Sequence, residues 1–241
     1  MTAILVLDDV HAAYGPFNAL FGVSLTVGEG EAVALLGPNG VGKTTVARVA
    51  TGLVAPSAGA VRVAGEDLTR APAYRFARAG IAHAPEGRSV FASLTVQENL
   101  RLAFRRSKGR AGVPAALEAA FAQFPALARR RGQVAGTLSG GEQRMLSLAR
   151  VLVEAPQLLV ADELSLGLAP IVVDEIYQEL VRLRSEGTAL LIVEQQVTHA
   201  LQLCDRAVLL DRGTVSWEGP ASEAHQRVAE GFLPVGTPPP G

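Results

Sequence analysis

The sequence predicts an α/β protein whose parallel sheet is interrupted by a long helical insertion, and three observations carry that prediction. The stretch Gly37-Pro38-Asn39-Gly40-Val41-Gly42-Lys43-Thr44-Thr45 has the spacing G-x-x-x-x-G-K-T. It stands between an apolar run at 32–36 and a breaker-free segment at 45–50, so a strand, a glycine loop and a helix follow one another. Short apolar runs of the kind found in strands buried on both faces recur at 158–161, 189–193 and 207–210. From about 89 to 153 such runs vanish and helical stretches replace them.

In chain order, Ile4-Leu5-Val6-Leu7 and Val23-Ser24-Leu25-Thr26-Val27 read as strands, and Gly28-Glu29-Gly30-Glu31 turns the chain into the strand before the glycine loop. Tyr14 falls in a connection. After the loop helix, Gly52 and Pro56 break the chain, and residues 60–63 form a short strand. Pro72 opens a helix that Gly80 stops. Residues 81–84 are a further strand, ending at Pro85-Glu86-Gly87-Arg88. In the insertion, helices are expected at 96–104, 114–121 and 139–153, with Ser107-Lys108-Gly109-Arg110-Ala111-Gly112 as a mobile linker. The α/β pattern then resumes with a strand at 158–161, a helix at 171–184, a strand at 189–193, a helix near 198–203 and a strand at 207–210. Asp211-Arg212-Gly213 is a hairpin turn into 214–218. The expected division is a core from 1–88 with 154–231, a helical segment at 89–153, and a disordered tail at 232–241 that ends in a proline run.

Bulk properties exclude several function classes. Hydrophobic residues make up 49% of the 241, yet no apolar run approaches the roughly 18 residues of a membrane-spanning helix. Asp8 and Asp9 follow the short apolar start without a basic leader, which argues against a signal peptide and for the cytoplasm. The single cysteine, Cys204, leaves no intramolecular disulfide and no cysteine metal site, and reads as core filler. A net charge of −1 and a pI near 6.4 argue against a nucleic-acid partner. Arg129-Arg130-Arg131 reads as a solvated helix end.

The glycine loop is the first functional candidate. Successive backbone N–H groups, together with the positive end of the helix dipole, form a cradle for a polyphosphate. Gly37, Pro38, Asn39, Gly40, Gly42 and Thr45 belong to that cradle; Lys43 reaches the outer phosphates and the Thr44 hydroxyl holds magnesium. Small-molecule kinases, GTPases, recombinases and transport ATPases all use such a loop. Two further features narrow the field. Asp162-Glu163 ends an apolar run, where ligands bind in parallel sheets, which suits Asp162 to magnesium and Glu163 to the attacking water. Leu138-Ser139-Gly140-Gly141-Glu142-Gln143 heads a helix, with Ser139 and Glu142 spaced as a capping box. Capping alone does not call for two glycines, whereas a bare amide surface for an anion does.

Together these residues resemble the ATP-binding subunit of an ABC transporter over about residues 4–220. The resemblance implies a phosphate-loop (RecA-like) core sheet, an antiparallel β subdomain and an inserted helical subdomain that carries the L-S-G-G-E-Q signature. It also implies ATP with Mg2+ as cofactors and a head-to-tail pair of ATPase subunits. Each ATP would lie between the phosphate loop of one subunit and Ser139, Gly140, Gly141 and Glu142 of the other. Tyr14 matches the family's adenine-stacking aromatic. Three positions depart from the common pattern: Glu86 replaces a glutamine and would lie near magnesium or the attacking water, Gln195 replaces a switch histidine, and Gly167 replaces an aspartate.

Those departures, with Phe91, Leu94-Thr95-Val96, Glu98-Asn99-Leu100 and Val193-Glu194-Gln195-Gln196, are similar to the shorter ATPase subunit of branched-chain amino acid importers, and to that of urea and short-amide importers. This implies a second ATPase subunit, two membrane permease subunits and an extracytoplasmic solute-binding protein, with the chain at the cytoplasmic face of the inner membrane. The insertion, around 91–94, would bear on the permease. A soluble ATPase of this class acting on DNA or ribosomes is the remoter alternative, since such proteins usually add coiled-coil, zinc or tandem segments. A phosphotransferase has no reason to carry residues 139–143.

Overall fold

The computed structural model describes residues 2–87, 89–152, 155–195 and 197–231. Arg88, Val153, Gln196 and the tail at 232–241, named above, lie outside those residues. The chain opens with two long antiparallel strands, β1 (Ala3–Tyr14) and β2 (Phe17–Gly28). Both run well past the apolar cores read from sequence, because a bulge after Leu7, with Asp9 at φ 48, breaks the apolar alternation without ending the pairing. Tyr14 is therefore the last residue of a strand, paired with Phe17, rather than part of a loop. β3 (Ala32–Leu36) is buried at every residue and feeds the glycine loop and α1 (Lys43–Ala50). β4 (Ala58–Val63) and β5 (Glu66–Asp67) complete a four-stranded antiparallel sheet in the order β2-β1-β4-β5.

After α2 (Ala73–Arg78) and β6 (Ile81–Ala84) the chain is helical. The two expected helices at 96–104 and 114–121 are one element, α3 (Val96–Gln123), bent where Gly109 leaves helical geometry at φ 65, ψ 176. The supposed mobile linker is thus helical on both sides of one glycine. Pro114 lies five residues past that break, in the first turns of the second helical segment. α4 (Pro125–Ala128), a 3₁₀ turn at Ala135–Thr137 and α5 (Gly140–Leu152) follow. The basic cluster at the end of α4 is not simply solvated: Arg131 makes two hydrogen bonds to Glu118 and covers the Phe121 ring at 4.1 Å, while Arg130 pairs with Glu142.

β7 (Leu158–Asp162), α6 (Pro170–Ser185), β8 (Ala189–Glu194), α7 (Val197–Leu203), β9 (Arg206–Asp211), β10 (Thr214–Pro220) and α8 (Ala221–Gly231) return the chain to an α/β pattern. The six-stranded sheet has the order β10-β9-β3-β8-β7-β6, parallel except at the β10 hairpin edge. Strand period divides its side chains between two cores. Val33, Leu35, Val160, Leu191 and Val193 pack with α1 beneath the antiparallel sheet. Ala34, Leu36, Ala161, Leu190 and Ile192 pack with α3, α5, α6 and α7 on the other side. Cys204 is buried in that second core, and burial pushes its thiol up to about 12.

Candidate functional site

Central placement of β3 puts the glycine loop at the carboxyl edge of the sheet, beside the ends of β7 and β8. Two of its three glycines, Gly37 and Gly42, are required by close packing. A Cβ on Gly37 would stand 2.4 Å from the Leu210 carbonyl oxygen, and one on Gly42, at φ 108, 2.9 Å from that of Ala19. Gly42 is the residue before α1, so the helix's free N–H groups open onto the loop. Lys43 is only 3% exposed. Its Nζ donates to the Gly37 and Pro38 carbonyls at 2.9 and 3.0 Å and lies 3.4 Å from Glu163 Oε1.

The Thr44 hydroxyl donates to Asp162 Oδ1 at 3.4 Å, which brings the two expected magnesium-side groups together. Burial first, then the charges of Glu163 and Glu86, raise the Asp162 carboxyl to about 6. Such a crowd of carboxylates calls for a cation. Among the described residues no group of three His, Cys, Asp or Glu could hold a metal unaided. One hydroxyl and one carboxylate suit magnesium that arrives with phosphate and water ligands. Glu163 follows with a left-handed backbone, φ 46, and its N–H donates to the Val193 carbonyl at 2.8 Å.

At the head of α5 the capping box is formed in both directions: the Ser139 N–H donates to Glu142 Oε2 at 2.9 Å, and the Glu142 N–H to Ser139 Oγ at 3.3 Å. Gly141 has a reason beyond anion binding, since a Cβ there would meet the Val172 side chain of α6 at 2.8 Å. Glu86 is exposed and lines a cavity of about 240 Å³ with Gly87, Gly140, Arg144, Leu166 and Leu168. Gln195 is exposed just past β8. The Tyr14 ring is 41% exposed, and its hydroxyl accepts from Arg48 Nη1 at 3.3 Å.

Three residues in and around this region make contacts the sequence reading did not assign: Arg144, which it did not name, and Glu194 and Asn99, which it named only as parts of motifs. Arg144 is buried on α5 and bonded to backbone on both sides of the site; four residues before Leu148, it lies on the apolar face, which is the signal that could have exposed it. Glu194, 2% exposed, accepts from the Ser165 N–H at 3.0 Å and from its hydroxyl at 2.8 Å. Asn99, fully buried, accepts from the Phe91 N–H and donates to the carbonyls of Phe91, Leu94 and Thr95. A larger groove of about 690 Å³ beside it is lined by Leu53, Tyr74, His83, Phe91, Leu102 and Arg150.

Residues 20–165 match the family described as ABC transporter. The chain is 40% identical over 233 residues to the high-affinity branched-chain amino acid transport ATP-binding protein BraG of Pseudomonas aeruginosa, covering 95% of this chain and 99% of that one. It is 36% identical over 215 residues to the probable branched-chain amino acid transport ATP-binding protein LivF of Archaeoglobus fulgidus, covering 89% and 91%. It is also 34% identical to the lipopolysaccharide export system ATP-binding protein LptB of Haemophilus influenzae, covering 88% and 89%. Among solved structures, a nucleotide-free ATP-binding cassette from an ABC transporter superposes with a TM-score of 0.82 at 27% identity, over 95% of each chain.

Proposed function

The chain belongs to the ABC transporter family as an ATP-binding subunit, and from that premise we propose that it hydrolyses ATP to drive uptake of branched-chain amino acids through a membrane permease. ATP hydrolysis is the activity of the cassette. The observation that carries the cargo is the end-to-end likeness to BraG. Lipopolysaccharide export, the role named for the LptB relative, is less well supported, at 34% identity.

In the proposed mechanism the loop amides and Lys43 bind the phosphates. Lys43 already lies among oxygens, and a nucleotide would draw its ammonium from Glu163 to the outer phosphates, freeing the carboxylate to orient water. Thr44 and Asp162 would hold magnesium, which supplies charge neutralisation at the phosphates when bound. Gln195, exposed just past β8, would donate to the γ-phosphate from its amide, but it cannot titrate as a histidine would. Glu86, a carboxylate, would meet the γ-phosphate only through magnesium or water. Ser139, Gly140, Gly141 and Glu142 would serve an ATP held by a second ATPase subunit. Tyr14 would stack on adenine.

We place the permease contact in the groove between α2 and α3. Exposed Leu53, Tyr74, Phe91 and Leu102 border it, and buried Nε atoms of His83 (Nε2) and Arg150 lack partners there. Residues 91–95 follow Glu86 closely, so a nucleotide-dependent shift at Glu86 has a short path to this surface. Crosslinks that map the permease to β10 would overturn that placement.

The deciding experiment is to purify the native complex from membranes, identify the subunits that co-elute, and measure which solutes stimulate its ATPase. Stimulation by leucine, isoleucine or valine with a solute-binding protein present supports the reading. Stimulation by urea or a short amide instead would change the cargo and keep the chemistry, and co-elution with export components would reject import.

A further inference from the structure

A non-glycine residue adopts the backbone of Glu163 only where its surroundings enforce it. The enforcing contacts are few. Its N–H is held by Val193, and its carbonyl accepts from Arg144 Nη2 at 2.6 Å and, at the longer distance of 3.4 Å, from the Leu166 N–H. The other arm of the same guanidinium, Nη1, donates to the Pro85 carbonyl at 2.8 Å and the Gly87 carbonyl at 2.5 Å, one on each side of Glu86. Arg144 is 5% exposed and stands four residues after Gly140 on α5. One buried cation thus gathers three carbonyls from two loops, each of which ends a strand and carries a carboxylate into the site.

We infer that Arg144 is a positioning residue for hydrolysis, fixing from behind the backbones that aim the Glu163 and Glu86 carboxylates. This rests on the role proposed above for Glu163. The planar fork of arginine suits the task, since its donors diverge at fixed angles toward separate acceptors; a lysine ammonium is a point charge on a flexible stem. Arg144 also shares α5 with Gly140 and Gly141, directly after Ser139. A change at the head of α5 is therefore carried to the Glu163 backbone of the same chain by about one helical turn.

The test uses the complex as it co-purifies, with Arg144→Met, Arg144→Lys, Glu163→Gln and each Arg144 variant combined with Glu163→Gln. Arg144→Met is expected to lower kcat about 10- to 100-fold, the scale of a small misplacement of a reacting group. ATP affinity and KM should shift less than about threefold, the pattern of an interaction that acts in the transition state. Arg144→Lys should recover part of the rate. Because Arg144 acts on Glu163 as well as on Glu86, each Arg144 change should slow Glu163→Gln by much less than it slows the wild type. Multiplied losses in the combined variants, or wild-type turnover in Arg144→Lys, overturn the inference. Should Arg144→Met fail to fold, the lysine pair decides. If Glu163→Gln alone hydrolyses ATP like wild type, the role of Glu163 fails and the inference falls with it, a result read before any Arg144 variant is needed.

Discussion

At the scale of single residues, Lys43 and Glu163 divide binding from turnover. Lys43→Ala removes a buried ammonium from the phosphate cradle, and with charge-assisted bonds contributing about 1.5 to 3 kcal/mol each, ATP affinity should fall at least roughly tenfold. Glu163→Gln should bind ATP normally in calorimetry and hydrolyse it about 10² to 10⁴-fold more slowly. His83 gives a pH signature of another kind. Burial, and then the charge of Arg48, press it down to about 4, so the unfolded chain binds its proton more readily. Stability from this group is complete above the ordinary histidine range and is lost as pH falls from about 6.5 toward 4. Asp162 has the opposite sign: raised to about 6, it favours the nucleotide-free fold at low pH and loses that contribution as pH rises through its own range. The measurement is a difference: between about pH 6.5 and 4.5, His83→Leu should lose less stability than wild type in denaturant titrations, and equal losses would clear His83 of the effect. The phosphate loop was legible because its spacing is local, every residue lying within one turn and one helix start. Arg144 was not, since its acceptors Pro85, Gly87 and Glu163 lie 59, 57 and 19 positions away and are backbone atoms, indifferent to residue type.

At the scale of elements, α3 shows how one polar side chain can set a surface. Thr95 and Glu98 close a capping box at its start, and Asn99 one position later ties down residues 91–95 with four hydrogen bonds. Asn99→Leu leaves the Phe91 N–H and three carbonyls without that partner, which should cost about 1 to 3 kcal/mol in chemical denaturation. If the permease docks beside Phe91, the same variant should also weaken assembly of the complex while leaving ATP affinity intact. Elements with a strong period were legible from sequence: β3, β6, β7, β8, α6 and the hairpin at β10 fall within a residue or two of expectation. Those held by pairing or by faint patterns were not. β1 continues through Asp8 and Asp9, and β2 begins as early as Phe17, because each has a partner strand, and among the described residues α8 offers the core little more than Ala221, Ala224 and Val228. Gly109 marked a break correctly, but the chain on either side of it is helical, and composition alone does not distinguish a bent helix from a loop.

At the scale of the whole molecule, the helical insertion has no core to itself. Phe104, Phe121, Leu146 and Leu148 belong to one cluster with Leu36, Ala161 and Ile192 of the sheet. Far-UV circular dichroism and the fluorescence of the single tryptophan, Trp217, which packs against that cluster, should therefore report one unfolding midpoint; two separated transitions would mean that the insertion folds independently. The sheet order carries a consequence for biogenesis. β3 lies between β8 and β9, and the carbonyl of Val41, inside the phosphate loop, accepts from the N–H of Gly213. On the ribosome the glycine loop emerges early, with β2 before it but without the hairpin that holds its Val41 carbonyl. Its pocket must wait for the hairpin after β9, so the ability to grip ATP follows the synthesis of that hairpin, and a stalled nascent chain that still lacks it should be unable to take up nucleotide.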